Sequence, residues 1–253
     1  MNARSTLQHI VAEKLRVLVV GLGISGIETA RFLTRCGIST VAVERTDEAR
    51  FLKTTKFSSA LQELRQAGVE LHFGVDGEGA AGLFDRVALA ILSPGVSLET
   101  AMCGALKRHS IPFMSELELG LELFQLPYVV VTGSNGKTTT VTLLHELLRA
   151  AGFDSRLCGN VGVPVVADLT KEHVFSEPPK EKRVLVVEAS SYQLETCSSI
   201  KPKVAVLLNL SDNHLERHGT LQRYFEAKAR AFANQDGNDF AVLNADDAMV
   251  FSL

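Results

Sequence analysis

The segment Val131-Thr132-Gly133-Ser134-Asn135-Gly136-Lys137-Thr138-Thr139-Thr140 constrains this chain more than any other. A β-branched apolar run, Tyr128 to Val131, leads into it, and a helical pattern from about Lys137 to Ala151, stopped by Gly152, leads out. Strand, glycine loop and helix in that order let backbone N–H groups turn inward as a phosphate cradle. The helix N-terminus adds the positive end of its dipole. Gly133, Ser134, Asn135, Gly136, Lys137, Thr138 and Thr139 are therefore candidate contacts for a nucleoside triphosphate. Lys137 is placed to reach the terminal phosphates and the Thr138 hydroxyl to ligate Mg²⁺. Val131 stands where the commoner GxxxxGK[ST] pattern has glycine. The plainer alternative, a glycine turn that only caps a helix, does not require the Lys-Thr pair found here.

A second glycine loop lies earlier. Gly21-Leu22-Gly23-Ile24-Ser25-Gly26 follows the strand pattern Arg16 to Val20, and Glu44 stands just after the next one, Ser39 to Val43. Alone, this GxGxxG suggests a dinucleotide site with Glu44 on a ribose. A tight strand-to-helix turn is the lesser alternative, and the loop supports binding of a nucleotide-like diphosphate without naming one. Further strand patterns occur at Val69 to Phe73, Arg86 to Leu92, Val184 to Val187, Val204 to Leu208 and Phe240 to Leu243. Helical patterns fall at Leu61 to Ala67, Thr100 to Arg108, Ser115 to Phe124 and Tyr224 to Phe232.

This alternation predicts two α/β domains with parallel sheets, a Rossmann-like one over 1–115 and a phosphate-loop one over 116–253. Lys171 to Arg183, with Pro178 and Pro179, reads as a polar surface loop. After the last strand pattern comes Asn244-Ala245-Asp246-Asp247 and no closing element, so the second domain reads as incomplete at its C-terminus.

Composition narrows the partners. A formal net charge of -3 gives no basic face, so neither nucleic acid nor an anionic membrane is expected. No apolar stretch approaches the roughly 20 residues needed to span a bilayer. The segment Met1 to Glu13 has no compact apolar core followed by a small-residue cleavage site, so no secretory leader and a cytoplasmic location are expected. Cys36, Cys103, Cys158 and Cys197 lack paired spacing and read as reduced thiols.

Two carboxylate and imidazole positions stand out. Glu188 ends the run Val184 to Val187, and His214 follows the run Val204 to Leu208, at the strand ends where α/β sheets collect ligands. Both are candidate Mg²⁺ ligands, whereas His218 reads as structural. Gly159-Asn160-Val161-Gly162 is a turn that presents the Asn160 amide. Lys228, on a helical pattern, would ordinarily be a solvated lysine.

Taken together these segments resemble the Mur ligases, and among them the type that adds D-glutamate. The resemblance spans nearly the whole chain and rests on GLGISG at Gly21, SPGVS at Ser93, SELEL at Ser115, TGSNGKTTT at Thr132, GNVG at Gly159, EASSYQLE at Glu188, NLSDNHLERHG at Asn209, Tyr224-x-x-x-Lys228 and NADD at Asn244. It accounts for Val131, since the family's phosphate loop is the shorter TGxNGKT form. It implies an ATP-dependent amide-bond ligase of peptidoglycan precursor synthesis. The substrates implied are UDP-N-acetylmuramoyl-L-alanine and D-glutamate, the cofactors ATP and Mg²⁺, and the intermediate an acyl phosphate.

The resemblance implies nucleotide contacts at Ile24, Ser25, Glu44, Arg45 and Thr46, with Ser93, Pro94 and Gly95 near the substrate. Asn160, Ser190 and Gln193 match substrate-facing positions. Thr138 and Glu188 would bind one Mg²⁺ and His214 a second, with Lys228 joining them if carbamylated; Lys137, Lys228 and His214 are the catalytic candidates. The resemblance implies three domains, of which 1–115 and 116–253 are expected to be the first and part of the second. Asn213 departs from the aspartate many members carry there, and Arg45 is not a residue the uracil pocket requires. Other readings are a sister Mur-type ligase, a non-catalytic nucleotide-binding fragment, and an NAD(P)-dependent oxidoreductase, which only the GxGxxG loop supports.

Overall fold

A computed structural model of the chain describes residues 2–176, 183–211 and 215–253. The chain forms two compact units. The first takes the chain up to Phe124 and again for the segment beginning at Val166; the second takes Gln125–Val165 and the described residues from 183 onward. Among the described residues no helix is long and apolar enough to cross a membrane, and the four cysteines are buried, none of them in a disulfide.

In the first unit, apolar β-branched and leucine-rich runs form three central strands covered on both faces, the usual state of a parallel sheet, with a shorter strand at each edge. They are β1 (Arg16–Val20), β2 (Ser39–Glu44), β3 (Glu70–Phe73), β4 (Val87–Leu92) and β5 (Phe113–Ser115). They pair in the order β3-β2-β1-β4-β5, every pairing parallel. The order reverses between β1 and β4, so a crevice opens beyond their carboxyl ends. The register Val20↔Val43 and Val20↔Leu92 brings three strand ends level there. Leu18, Val41, Ala90 and Leu92 pack against Met102, Ala105 and Leu106 of the helix Ala101–Arg108.

Two findings in this unit differ from the sequence reading. Helix Ala3–Ala12, capped by the Asn2 side chain, buries Ala3, Leu7 and Ile10 where no element was assigned. The supposed surface loop from Lys171 begins with the helix Glu172–Phe175, whose His173 and Val174 are buried. Gln8 Nε2 donates to Val174 O at 2.7 Å, so the segment is fastened by a partner remote in sequence. Residues 177–182 of that loop lie outside the described residues.

The second unit repeats the logic with β6 (Tyr128–Thr132), β7 (Asp154–Gly159), β8 (Arg183–Glu188), β9 (Val204–Leu207) and β10 (Phe240–Leu243). The order is β10-β9-β6-β8-β7, again all parallel. Val131 pairs with Glu188 and with Val206, which sets the ends of β6, β8 and β9 side by side. Helix Lys137–Ala150 leaves β6 there. The predicted helix at Tyr224 to Phe232 is Leu221–Ala229, started earlier by Thr220, whose side chain accepts from Arg223 N.

Candidate active site

The phosphate loop joins β6 to the helix Lys137–Ala150. Its crest is pinned by the segment after β9. Ser134 N donates to Asn209 O at 2.9 Å, Asn135 N to Asn209 Oδ1 at 2.9 Å, and Asn209 Nδ2 to Asn135 O at 3.1 Å. Ser211 N donates to Ser134 Oγ at 3.0 Å. Lys137 folds back over the loop, its Nζ donating to Gly133 O and Ser134 O, each at 2.8 Å. Burial lowers the Lys137 pKa below the usual lysine range, with Glu188 pulling the other way. An ammonium group resting on backbone carbonyls is poised to exchange them for phosphate oxygens, since charge-assisted bonds are the stronger.

Glu188, at the end of β8, is 2% exposed. Thr138 Oγ1 donates to its Oε2 at 2.7 Å and Asn160 Nδ2 to its Oε1 at 2.7 Å. Asn160 N also donates to Glu188 O at 2.8 Å. Gly159 brings Asn160 into place: its φ is +99°, and a Cβ there would overlap the Glu188 carbonyl oxygen. A hydroxyl, a carboxylate and an amide from three segments thus converge beside the loop. The residues fit Mg²⁺, which is commonly held by one or two carboxylates together with substrate phosphates. Among the described residues no cluster of three or more His, Cys, Asp or Glu is set to hold a metal alone. His214 lies outside the described residues.

Lys228 overturns the reading of a solvated lysine. The helix Leu221–Ala229 turns Tyr224, Ala227 and Lys228 inward, and Lys228 is 1% exposed. Its Nζ donates to Gly133 O at 2.9 Å and to Thr132 Oγ1 at 3.4 Å, and lies 4.4 Å from the Tyr224 ring centroid. Desolvation, then repulsion by Lys137, lowers its pKa to about 7. Both lysines meet the Gly133 carbonyl, and the repulsion between them is part of what lowers the Lys228 pKa.

Ser190 and Gln193 follow β8 and cap the helix Ser191–Leu194 reciprocally. Ser190 N and Oγ both donate to Gln193 Oε1 at 3.0 Å. His218 is buried, as its structural reading expects, with Nε2 3.0 Å from Ser191 Oγ.

The first unit holds a cavity of about 470 Å³, and Ile24, Ser25, Glu44, Arg45, Thr46, Ser93, Pro94 and Gly95 all line it. Helix Ile24–Arg35 opens onto it at Gly23, with no side-chain cap on its first N–H groups, an arrangement suited to an anion. Glu44 braces the glycine loop, accepting from Leu22 N at 3.1 Å and from Thr46 N at 3.0 Å. Ser93 Oγ donates to Gly21 O at 2.8 Å. Sequence reasoning missed Thr54, Thr55, Asp76 and Thr100 on the same wall. It also gave no role to Asn209 and Ser211, although their place just beyond a buried strand is the signal for both.

A phosphate loop at the switch point of one parallel sheet, and an uncapped glycine-loop helix over a cavity in another, define a two-unit α/β nucleotide-binding protein. Residues 15–115 match the Mur ligase MurD-like N-terminal domain and residues 131–252 the Mur ligase middle domain. The chain belongs to the Mur ligase family.

Its relatives include the UDP-N-acetylmuramoylalanine–D-glutamate ligase of Pelotomaculum thermopropionicum, 42% identical over 238 residues, covering 94% of this chain and 49% of that one. The Geobacter metallireducens protein of the same name is 39% identical over 234 residues, covering 92% and 48%. The chain therefore spans about half the length of the curated relatives it matches. Among solved structures, the UDP-N-acetylmuramate:L-alanyl-gamma-D-glutamyl-meso-diaminopimelate ligase from Neisseria meningitides has a TM-score of 0.61 at 17% identity, covering 94% of this chain and 74% of that one. UDP-N-acetylmuramate-alanine ligase MurC from Thermotoga maritima has a TM-score of 0.53 at 20% identity, covering 93% and 50%. At these identities the two structures establish the fold.

Proposed function

We propose that this chain carries the nucleotide-binding parts of an ATP-dependent ligase that joins D-glutamate to UDP-N-acetylmuramoyl-L-alanine. The junction of Thr138, Glu188 and Asn160 beside the phosphate loop carries the chemistry. The choice of substrates rests on relatives of that name matched over more than nine-tenths of the chain. In this reading 1–115 holds the uridine nucleotide and 116–253 holds ATP, in the cytoplasm, without nucleic acid or membrane partners.

The reaction begins when the alanyl carboxylate attacks the γ-phosphorus of ATP, displacing ADP and leaving an acyl phosphate. The D-glutamate amine then attacks the acyl carbon, losing a proton as the amide forms and phosphate departs. Lys137 and the loop N–H groups offset charge on the transferred phosphoryl group, so catalysis is largely positioning and electrostatics. Mg²⁺, when bound, neutralises phosphate charge further, and Thr138 and Glu188 would hold it, with His214 assigned a second ion. Lys228, buried with its pKa lowered to about 7, has the neutral amine that carbamylation requires. Carbamylation would turn it into a carboxylate-like ligand. Asn160, Ser190 and Gln193 are assigned to the substrate. In the first unit, Ile24, Ser25, Glu44, Arg45 and Thr46 are assigned to the uridine nucleotide, with Ser93, Pro94 and Gly95 beside it.

Lys137→Ala tests the assignment. ATP-dependent phosphoryl transfer is expected to vanish while uridine-nucleotide affinity stays unchanged. Retained ATP-dependent product formation in the variant contradicts the proposal.

A further inference from the structure

His218 occupies a position that neither the metal junction nor the phosphate contacts use. It is 5% exposed and sits at the end of the helix Leu215–His218. On one side its Nε2 lies 3.0 Å from Ser191 Oγ, in the capped turn that follows Glu188. On the other its ring lies 5.3 Å from the Tyr224 ring, tilted by 49°. That separation is within the range where aromatic pairs attract through their quadrupoles. Tyr224 is itself 1% exposed, and its hydroxyl is 3.3 Å from Ser134 Oγ in the phosphate loop.

Ser134 is where displacement would matter. Its carbonyl accepts from Lys137 Nζ at 2.8 Å, its N–H is held by Asn209 O at 2.9 Å, and its hydroxyl accepts from Ser211 N at 3.0 Å. A shift of the Ser134 hydroxyl therefore moves both the loop crest and the lysine resting on it. A run of buried contacts, Ser191 to His218 to Tyr224 to Ser134, connects the turn after β8 to the phosphate loop.

We propose that His218 is a positioning residue for the phosphate loop, acting through Tyr224 and Ser134. The proposal rests on the ATP-binding reading given above and adds to it the part that fixes the loop's shape. Fixed donors cost no reorganisation when ligand arrives, so loosening them weakens binding without removing a direct contact.

The test is calorimetric titration of Mg-ATP into the unaltered chain and its variants, with thermal melting in parallel. His218→Phe keeps a ring against Tyr224 but loses the bond to Ser191. Tyr224→Phe keeps the ring and loses the bond to Ser134. Each is expected to weaken ATP binding about tenfold, the order of one lost buried hydrogen bond. Because they interrupt one path, the double variant is expected to be no weaker than the worse single.

Changed melting temperatures with unchanged ATP affinities, or fully additive losses in the double variant, overturn the proposal. Should His218→Phe not fold, unchanged ATP affinity in Tyr224→Phe overturns it alone. Absence of ATP binding in the unaltered chain is a different result, seen before any variant is made. It overturns the nucleotide reading, and the positioning role falls with it.

Discussion

Lys228 carries a conflict between charge and burial that makes it measurable. Its folded pKa of about 7 lies below the 10.5 of the free side chain, so between these values the unfolded chain binds a proton that the folded chain rejects. Stability from this residue is thus complete above the free value and is lost as pH falls through about 7. In buffer freed of carbon dioxide, the unaltered chain is expected to gain stability over Lys228→Met between pH 7 and pH 9. The gain is at most about 1.4 kcal/mol per pH unit, and urea melts at the two pH values read it. A flat difference would show that the amine is not held in a desolvated site. Glu188→Gln asks the matching question of the carboxylate. It preserves an oxygen for Thr138 but removes the charge, so Mg-ATP binding is expected to weaken by an order of magnitude or more while metal-free ATP binding changes little. Equal losses with and without Mg²⁺ would remove Glu188 from the metal site. Glu188 was legible in the sequence because a carboxylate that closes a buried apolar run is costly unless it meets a cation or a donor at the strand end. The burial of Lys228 was not: helical spacing sets Tyr224, Ala227 and Lys228 on one face, but a face that carries a lysine gives no sign of turning inward.

Among elements, legibility followed apolar content, so that even the exposed edge strand β10 (Phe240–Leu243) was readable. β1, β4, β6, β8 and β9 are central and Val- or Leu-rich, and each was readable as a run. β7 was not: it is an edge strand whose Asp154 and Arg156 are exposed and whose ion pairs, Asp154 with Arg183 among them, replace apolar alternation. β5 was missed because three residues, Phe113–Ser115, give no period to count. Glycine loops were legible because backbone demands choose the residue outright. At Gly26 a Cβ would overlap the Gly21 carbonyl oxygen, backbone that cannot yield cheaply. Gly26→Ala is therefore expected to cost more than about 2 kcal/mol and to abolish ligand binding at the first unit's cavity. Denaturant melts together with uridine-nucleotide titration check this, and a well-folded variant with unchanged affinity would contradict it.

At the scale of the molecule, each unit carries its own feature suited to a nucleotide, one at the switch point of β1 and β4 and one at the end of β6. Both came from glycine loops legible in the sequence, whereas Asn209, Ser211 and the Thr54, Thr55 and Asp76 wall emerged only when the fold closed around them. The separation predicts a double dissociation: Lys137→Ala loses ATP and keeps the uridine compound, and Gly26→Ala does the reverse. The central claim is that the first cavity serves a uridine nucleotide substrate rather than a nicotinamide. Calorimetric titration of the chain with UDP-N-acetylmuramoyl-L-alanine, with NADH as the parallel ligand, tests it most directly. Saturable binding of the uridine compound and none of NADH is the predicted result. Saturable NADH binding without a uridine response would contradict the account and return the first glycine loop to the oxidoreductases.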